Sequence, residues 1–202
     1  MAAPRPITTL LMVRHGQSEW NAGQRWQGQA DPPLSALGAR QARLAAASLD
    51  HIEAIVSSDL RRAADTARVI ADALGIGPVA LEPALRERFA GPWQGLTRDE
   101  IERRWPGWLE DGRRPEGYES DAEVCRRSVP ALRRIAEHHG GTRVLVVTHG
   151  GVIYTIERQM GVEVPRLANL GARSVRMVDD KLVLGARFNL LDGDDITIPS
   201  QI

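Results

Sequence analysis

Lysine is almost missing from this chain. Lys181 stands alone among 26 basic side chains, leaving 25 arginines. A glycine-rich phosphate loop ending in Gly-Lys-Ser/Thr, a pyridoxal Schiff base and a kinase-type strand lysine each need lysine in a particular setting. Lys181 lies in Val-Asp-Asp-Lys-Leu-Val, which reads as a hairpin turn, so those chemistries are excluded. Any anion handled here must be held by arginine, histidine or backbone N–H groups. Cysteine is equally scarce. Cys125 cannot form an internal disulfide, which points to a reducing, cytoplasmic setting, and its helical context without a nearby histidine reads as a packing residue, not a nucleophile. Net charge is zero, 26 acidic against 26 basic side chains, so there is no one-signed field for nucleic acid or an anionic membrane. Long apolar runs are absent too. Leu10-Leu11-Met12-Val13 is far too short for a signal peptide or a membrane span.

What is present suits one domain over residues 1–202, with 43% hydrophobic residues available for a core. A chain of this mass buries about 70% of its extended surface. Strand and helix alternate from the start. Ile7 to Val13 is a β-type run ended by Arg14-His15-Gly16, and a polar loop then leads to a helix opened by Ser35. Ile52 to Val56 is a second buried run. Ser57-Ser58-Asp59 follow it as N-cap candidates for a helix over 60–74, which Gly75-Ile76-Gly77-Pro78 stops. Thr97 with Glu100 and Ser120 with Glu123 have capping-box spacing and predict helices near 98–104 and 121–138. Arg143 to Val147 reads as an interior strand, and His149-Gly150-Gly151 leads it into a helix ending near Gly161. Two β-like runs, Ser174 to Val178 and Leu182 to Phe188, close the chain around an Asp179-Asp180 turn. Continuous apolar strands joined by helical crossovers argue for an α/β fold: a three-layer α/β/α sandwich with a mostly parallel central sheet. Residues 88–118 break the pattern. Rich in tryptophan, proline, glycine and charge, they read as an inserted helical cap.

Three polar clusters each follow a buried strand: Arg14-His15-Gly16, Ser58 to Arg62, and Thr148 to Gly151. In an open α/β sheet the carboxyl ends of the strands form the ligand crevice, so these clusters are expected to converge. Two arginines and two histidines meeting there would repel unless a multiply negative group lies between them. Arginine suits phosphate, because its planar fork donates paired hydrogen bonds and stays charged. Of the neighbours Arg61 and Arg62 only one can face the crevice. Backbone N–H groups at Gly150 and Gly151, at a helix start, are candidates to complete the cradle. Neutral imidazole attacks phosphorus without a separate base. His15, at a strand end beside Gly16, has the better placement for attack, which leaves His149 as a charged hydrogen-bond donor.

Leu11-Met12-Val13-Arg14-His15-Gly16-Gln17-Ser18-Glu19-Trp20-Asn21 resembles the signature of the histidine phosphatase superfamily, also called phosphoglycerate-mutase-like. Ser57 to Ala67, Leu85-Arg86-Glu87 and Val147 to Gly151 match its other blocks in order. The resemblance runs from about Thr9 to Phe188. It implies that His15 becomes phosphohistidine, that Arg14, Arg62 and His149 form the phosphate pocket, and that Asn21 and the Gln27-Gly28 turn border it. It also implies that Glu87 protonates the leaving oxygen and then activates water. The residues alone do not single Glu87 out from the other acids of the cap. An alkoxide leaves badly without a proton, so the chemistry needs such a group. Neither metal nor cofactor is implied, since fixed arginines supply the electrostatic stabilisation.

The superfamily forks between hydrolysis and return of the phosphoryl group to a second position. Glycolytic mutases usually carry Glu-Arg-His-Tyr at the acid position, with a longer basic insertion. Here Glu87-Arg88 is followed by Phe89-Ala90, and Phe89 to Thr97 resembles the Gly-x-Trp-x-Gly stretch of the small phosphatase branch. The expectation is therefore a metal-independent phosphatase acting on a small phosphorylated metabolite. The alternatives are a mutase or an inactive phospho-ligand-binding protein, and a homodimer is left open. Trp20, Trp26, Trp93, Trp105 and Trp108 either wall the crevice or form the cap's own packing. Arg113 and Arg114 either meet a substrate carboxylate or belong to a solvated charge cluster. His138 and His139 complement a helix C-terminus, and His51 begins a strand without a partner.

Overall fold

The computed structural model describes residues 7–178 and 181–199. Six strands form one sheet in the order β3-β2-β4-β1-β5-β6. They are β1 (Thr9–Arg14), β2 (Ala54–Ser57), β3 (Ala80–Leu81), β4 (Arg143–Thr148), β5 (Gly171–Val178) and β6 (Lys181–Asn189). The first four pair parallel; β5 runs antiparallel to β1, and β6 antiparallel to β5. The sheet is therefore mixed, with only β5 reversed against the rest. The turn expected at Asp179-Asp180 lies outside the described residues.

The continuous apolar strands serve two faces at once. Leu11 and Val13 of β1 and Leu145 and Val147 of β4 pack with α2 (Ala36–Ala46) and α3 (Arg61–Leu74). The alternate residues Leu10, Met12, Val144 and Val146 pack with α5 (Asp121–His138) and α6 (Gly150–Gln159). Side-chain alternation along a strand splits one sequence run between two cores. Both capping boxes form: Thr97 opens α4 (Arg98–Arg104) and Ser120 opens α5. Gly75, at φ 67°, closes α3 in the left-handed conformation.

Three local expectations need correction. The N-cap of α3 is Leu60, with no side-chain cap bond; the N–H of Arg61 instead donates to Asp31 Oδ1 at 2.7 Å. Ser58 and Asp59 were drawn elsewhere, to His149 and Arg86. The loop after Gly16 contains α1 (Glu19–Ala22), a single turn closed reciprocally by Ser18 and Asn21 and too short to show periodicity. His51 sits at φ 50° in the turn before β2, so it does not begin the strand.

The cap segment is less helical than expected. Only α4 is an α-helix there, and Gly91–Trp93 is a single 3-10 turn. Its order comes from aromatic packing: Trp93 is fully buried among Trp26, Trp105 and Tyr118, with ring centroids 5.6–6.3 Å apart. Trp108 joins that cluster, and Trp20 packs over Gly95. The tryptophans are thus chiefly the cap's own core.

Helix α2 crosses the loop after β1 through glycine. A Cβ on Gly38 would lie 2.0 Å from the Gln17 carbonyl oxygen, and one on Gly16 would lie 2.6 Å from that of Gly38. Helix propensity alone predicts that Gly38→Ala gains about 1 kcal/mol. The clash with backbone outweighs it, because overpacking costs about 1–3 kcal/mol or more. Urea unfolding of Gly38→Ala should show a lowered midpoint; a raised one would contradict this packing.

Candidate active site

Parallel pairing sets Arg14 opposite Thr148 at the ends of β1 and β4, so the next residues, His15 and His149, emerge side by side. Their ring centroids are 5.1 Å apart. Arg62 arrives from the first turn of α3, while its neighbour Arg61 faces solvent. Arg14, Arg62 and His149 are 0% exposed and His15 is 1% exposed. The three sequence clusters do converge.

The hydrogen bonds define the tautomer of His15. Nδ1 lies 2.6 Å from the Gly16 carbonyl, which only accepts, so Nδ1 carries the proton. In the neutral ring the lone pair is then on Nε2, which accepts from Arg62 Nε at 3.3 Å. The backbone of His15 is held by Thr148, and its carbonyl by Asn169 Nδ2 at 2.8 Å. Arg62 is aimed by the carbonyls of Gly28 and Ala30, each at 2.8 Å. Gly28 sits at φ 53°, and a Cβ there would meet Gln94 Oε1 at 2.4 Å. Gln27 Oε1 accepts from Ser18 Oγ, and Asn21 Oδ1 accepts from the Ser18 N–H. Asn21 Oδ1 also lies 3.5 Å from Asn169 Nδ2, which holds the His15 carbonyl, and Gln27 and Gly28 line a recess with Glu87.

Charge is the unbalanced quantity. Arg14 uses Nη1 on the Leu167 carbonyl, while its Nε and Nη2 are buried without a hydrogen-bond partner among the described residues. His149 Nε2 meets Ser58 Oγ at 2.9 Å, and its Nδ1 is likewise unpartnered. Burial first, then the Arg62 and Arg14 charges, push His15 well below the ordinary 6.5; burial, then Arg62 and His15, do the same to His149. Burial lowers Arg14, partly countered by Tyr154 and then Glu87, and takes Arg62 down to about 10, partly countered by Glu87. Both histidine shifts favour the neutral imidazole, so the charged donor expected of His149 depends on an anion beside it.

Glu87 lies beside the cluster at 5% exposure. Its Oε1 accepts from the Arg88 N–H and its Oε2 from the Gly151 N–H at 3.1 Å. The N-terminus of α6 is thus partly engaged by Glu87, which corrects the expectation that Gly151 is free to bind an anion; Gly150 remains at the helix start. A Cβ on Gly151 would lie 2.2 Å from Glu87 Oε1, so any other residue there displaces the Glu87 carboxylate. Gln27, Gly28, Glu87 and Gly151 line a small recess, and Gly151, Arg88 and Tyr118 carry it into a cleft of about 660 Å³. Among the described residues no group of three or more His, Cys, Asp or Glu is placed to hold a metal ion. No described helix is long and apolar enough to cross a membrane.

Comparison with known proteins accounts for this arrangement. The profile of the histidine phosphatase superfamily (branch 1) matches residues 10–177. This chain belongs to that superfamily. A glucosyl-3-phosphoglycerate phosphatase of Mycolicibacterium vanbaalenii is 44% identical over 161 residues, 73% of this chain and 71% of the relative. A metal-independent phosphoserine phosphatase of Arabidopsis thaliana is 37% identical over 190 residues, 88% and 80% of the two chains. A phosphoglycerate mutase-like protein of that plant also matches. Among solved structures, a mycobacterial glucosyl-3-phosphoglycerate phosphatase with VO3 superposes at a TM-score of 0.80 with 32% identity, covering 90% of this chain and 98% of that one.

For a histidine phosphatase the sequence blocks show most of the site but not its supports. Asn169, Asp31 and Tyr154, whose hydroxyl accepts from the Leu167 N–H, carry no spacing signal that ties them to His15, whereas Thr66, whose Oγ1 accepts from the Gly16 N–H, lies inside a matched block. Cys125 is half-buried on α5 with burial pushing its thiol up, in keeping with a packing role.

Two histidines buried neutral make folding depend on pH. Below 6.5 the unfolded chain takes up protons that the folded histidines refuse, so their contribution is full above 6.5 and declines as pH falls. Each contributes a slope of at most about 1.4 kcal/mol per pH unit. Unfolding free energy should therefore drop between pH 6.5 and 5, above the range where Asp59 and Asp121 protonate. His15→Gln should remove about half of that slope; an unchanged slope would contradict a neutral buried pair.

Proposed function

We propose that this chain is a metal-independent phosphomonoesterase that hydrolyses small phosphate esters through a phosphohistidine on His15. The observation that carries the reading is the buried cluster of Arg14, Arg62, His15 and His149, whose two guanidinium charges are only partly countered by Glu87 and Asp31, so that it calls for a further anion. A phosphoryl group supplies that anion. It meets Arg14 Nε and Nη2 and His149 Nδ1, and its charge restores the proton on His149. Asn21, Gln27, Gly28 and Gly150 border the same pocket.

The steps balance as follows. The Nε2 lone pair of His15 forms the N–P bond as the bond from phosphorus to the ester oxygen breaks, and the Glu87 carboxyl gives its proton to that leaving oxygen. Water then attacks phosphorus while the Glu87 carboxylate takes its proton; the N–P bond breaks and the imidazole returns neutral. The Gly16 carbonyl keeps Nδ1–H throughout and holds Nε2 as the reacting atom. Fixed arginines supply the charge stabilisation that metal ions supply elsewhere, and one relative is named as metal-independent.

Relatives named for glucosyl-3-phosphoglycerate and phosphoserine support a small, anionic ester as substrate. The leaving group would lie in the 660 Å³ cleft, where Arg114 packs over the Trp93 and Tyr118 rings at 5.3 and 5.5 Å. Arg114 is our choice for a leaving-group carboxylate. Arg113 is taken by Asp111 and Trp108. Phe89-Ala90 in place of a mutase-type His-Tyr favours water as the acceptor. We read residues 1–202 as one histidine phosphatase domain with an insertion near 88–118, working in the cytoplasm on a small phosphorylated metabolite and not on nucleic acid or membranes.

His15→Ala should reduce turnover of 4-nitrophenyl phosphate by at least about 10³-fold, as loss of a covalent nucleophile does. EDTA should leave the rate unchanged, and acid-labile phosphate should be trapped on histidine in the wild type. With 3-phosphoglycerate, released phosphate should exceed any 2-phosphoglycerate formed. Chelator-sensitive turnover, or full activity without His15, would overturn the reading.

A further inference from the structure

We propose that Arg127 is a positioning residue for Glu87, acting through the backbone and not through the carboxylate. Arg127 lies on α5, well away in sequence from the four motif blocks, and donates to no side chain of the phosphate cluster. All five of its N–H groups are used. Nη1 donates to the carbonyls of Ala84 at 2.8 Å and Arg86 at 2.6 Å, and Nη2 to that of Glu87 at 3.1 Å. Nε and Nη2 donate to the two Glu119 carboxylate oxygens at 2.7 and 2.9 Å. The carbonyl that Arg127 skips, Leu85, accepts from Thr148 Oγ1 at 2.8 Å, one residue before His149. Every carbonyl from 84 to 87 is thus held by a side chain, in a segment with no sheet or α-helix to hold it. Glu119 extends the clamp past the acid: its carboxylate accepts from the Phe89 N–H, and its own N–H donates to the Phe89 carbonyl, both at 3.0 Å.

The indirect route has a chemical reason. A group that gives a proton and then takes one must titrate between its two steps. An arginine paired directly with the Glu87 carboxylate would hold it ionised and spoil the first step. Gripping the carbonyls fixes the position of the carboxyl while leaving it only two backbone N–H bonds. Guanidinium geometry is essential, because five donors in a planar fork span three carbonyls and a carboxylate; an ammonium has three donors on one atom.

This inference rests on Glu87 as the proton donor, so the test compares two esters of similar size: phenyl phosphate, with a leaving oxygen that needs the proton, and 4-nitrophenyl phosphate, with one that needs it far less. The reading is kcat/KM, which reports the step up to N–P bond formation. Arg127→Lys should lose about tenfold or more with phenyl phosphate and less than about threefold with the nitro ester, since a small misplacement of an acid costs up to about 10². Glu87→Gln, run in parallel, should show the same selectivity, more strongly. Equal losses on both esters for Arg127→Lys, or none, overturn the proposal while a selective Glu87→Gln leaves the mechanism standing. An unselective Glu87→Gln overturns both. Circular dichroism verifies folding, and if Arg127→Lys does not fold, Glu119→Gln, which frees one side of the fork, decides by the same comparison.

Discussion

Two arginines and two histidines are buried together at the ends of β1 and β4, and the rest of the structure is arranged around that crowding of positive groups. Burial already disfavours each charge, and each neighbour disfavours it further. Arginine cannot release its proton at working pH, so the histidines give way and become neutral. That concession makes the chemistry available. A neutral His15 with Nδ1–H on the Gly16 carbonyl presents a lone pair at Nε2, and a neutral His149 is ready to take up a proton when an anion arrives. In the proposed mechanism one electrostatic conflict therefore prepares both the nucleophile and the donor.

The fold supplies what the conflict needs. Strands buried on both faces fix where β1 and β4 end, and parallel pairing puts their next residues side by side. Glycines 16 and 38 let α2 close on the nucleophile loop, and Gly151 lets Glu87 reach the start of α6. The aromatic cap core holds the loop that aims Arg62, since the Gln94 carbonyl oxygen of the side chain accepts from the Gln29 and Ala30 N–H groups. Stability is spent at the site and recovered in the two cores and the cap. Backbone carbonyls orient these cations: Leu167 for Arg14, Gly28 and Ala30 for Arg62, and Ala84, Arg86 and Glu87, together with the Glu119 carboxylate, for Arg127.

The strands and most helices are legible in the sequence because their signals are local. Apolar runs, capping boxes at Thr97 and Ser120, and Gly75 after α3 each report on a few neighbouring residues. The strand-end placement of His15 and His149 follows from the same runs. Glu87 is different: only the family resemblance selects it, because its nearness to His15 depends on how residues 84–87 are folded back by distant side chains. Ser58 looks like a helix cap yet bonds His149, since its position after β2 brings it to the crevice before the helix needs it. The cap holds the helix expected at 98–104, but the rest of it is irregular because its tryptophans stabilise turns by ring packing, which has no period.

The proposed mechanism requires that the buried histidines are neutral in the free protein and that His149 becomes charged when a tetrahedral dianion binds. Nitrogen-15 NMR of the imidazoles at pH 6, with and without saturating tungstate, measures this directly. The account predicts His15 neutral with the proton on Nδ1 and His149 neutral in the free protein, and His149 doubly protonated once tungstate is bound. Histidines already charged without the anion, or a His149 spectrum that tungstate leaves unchanged, would contradict it.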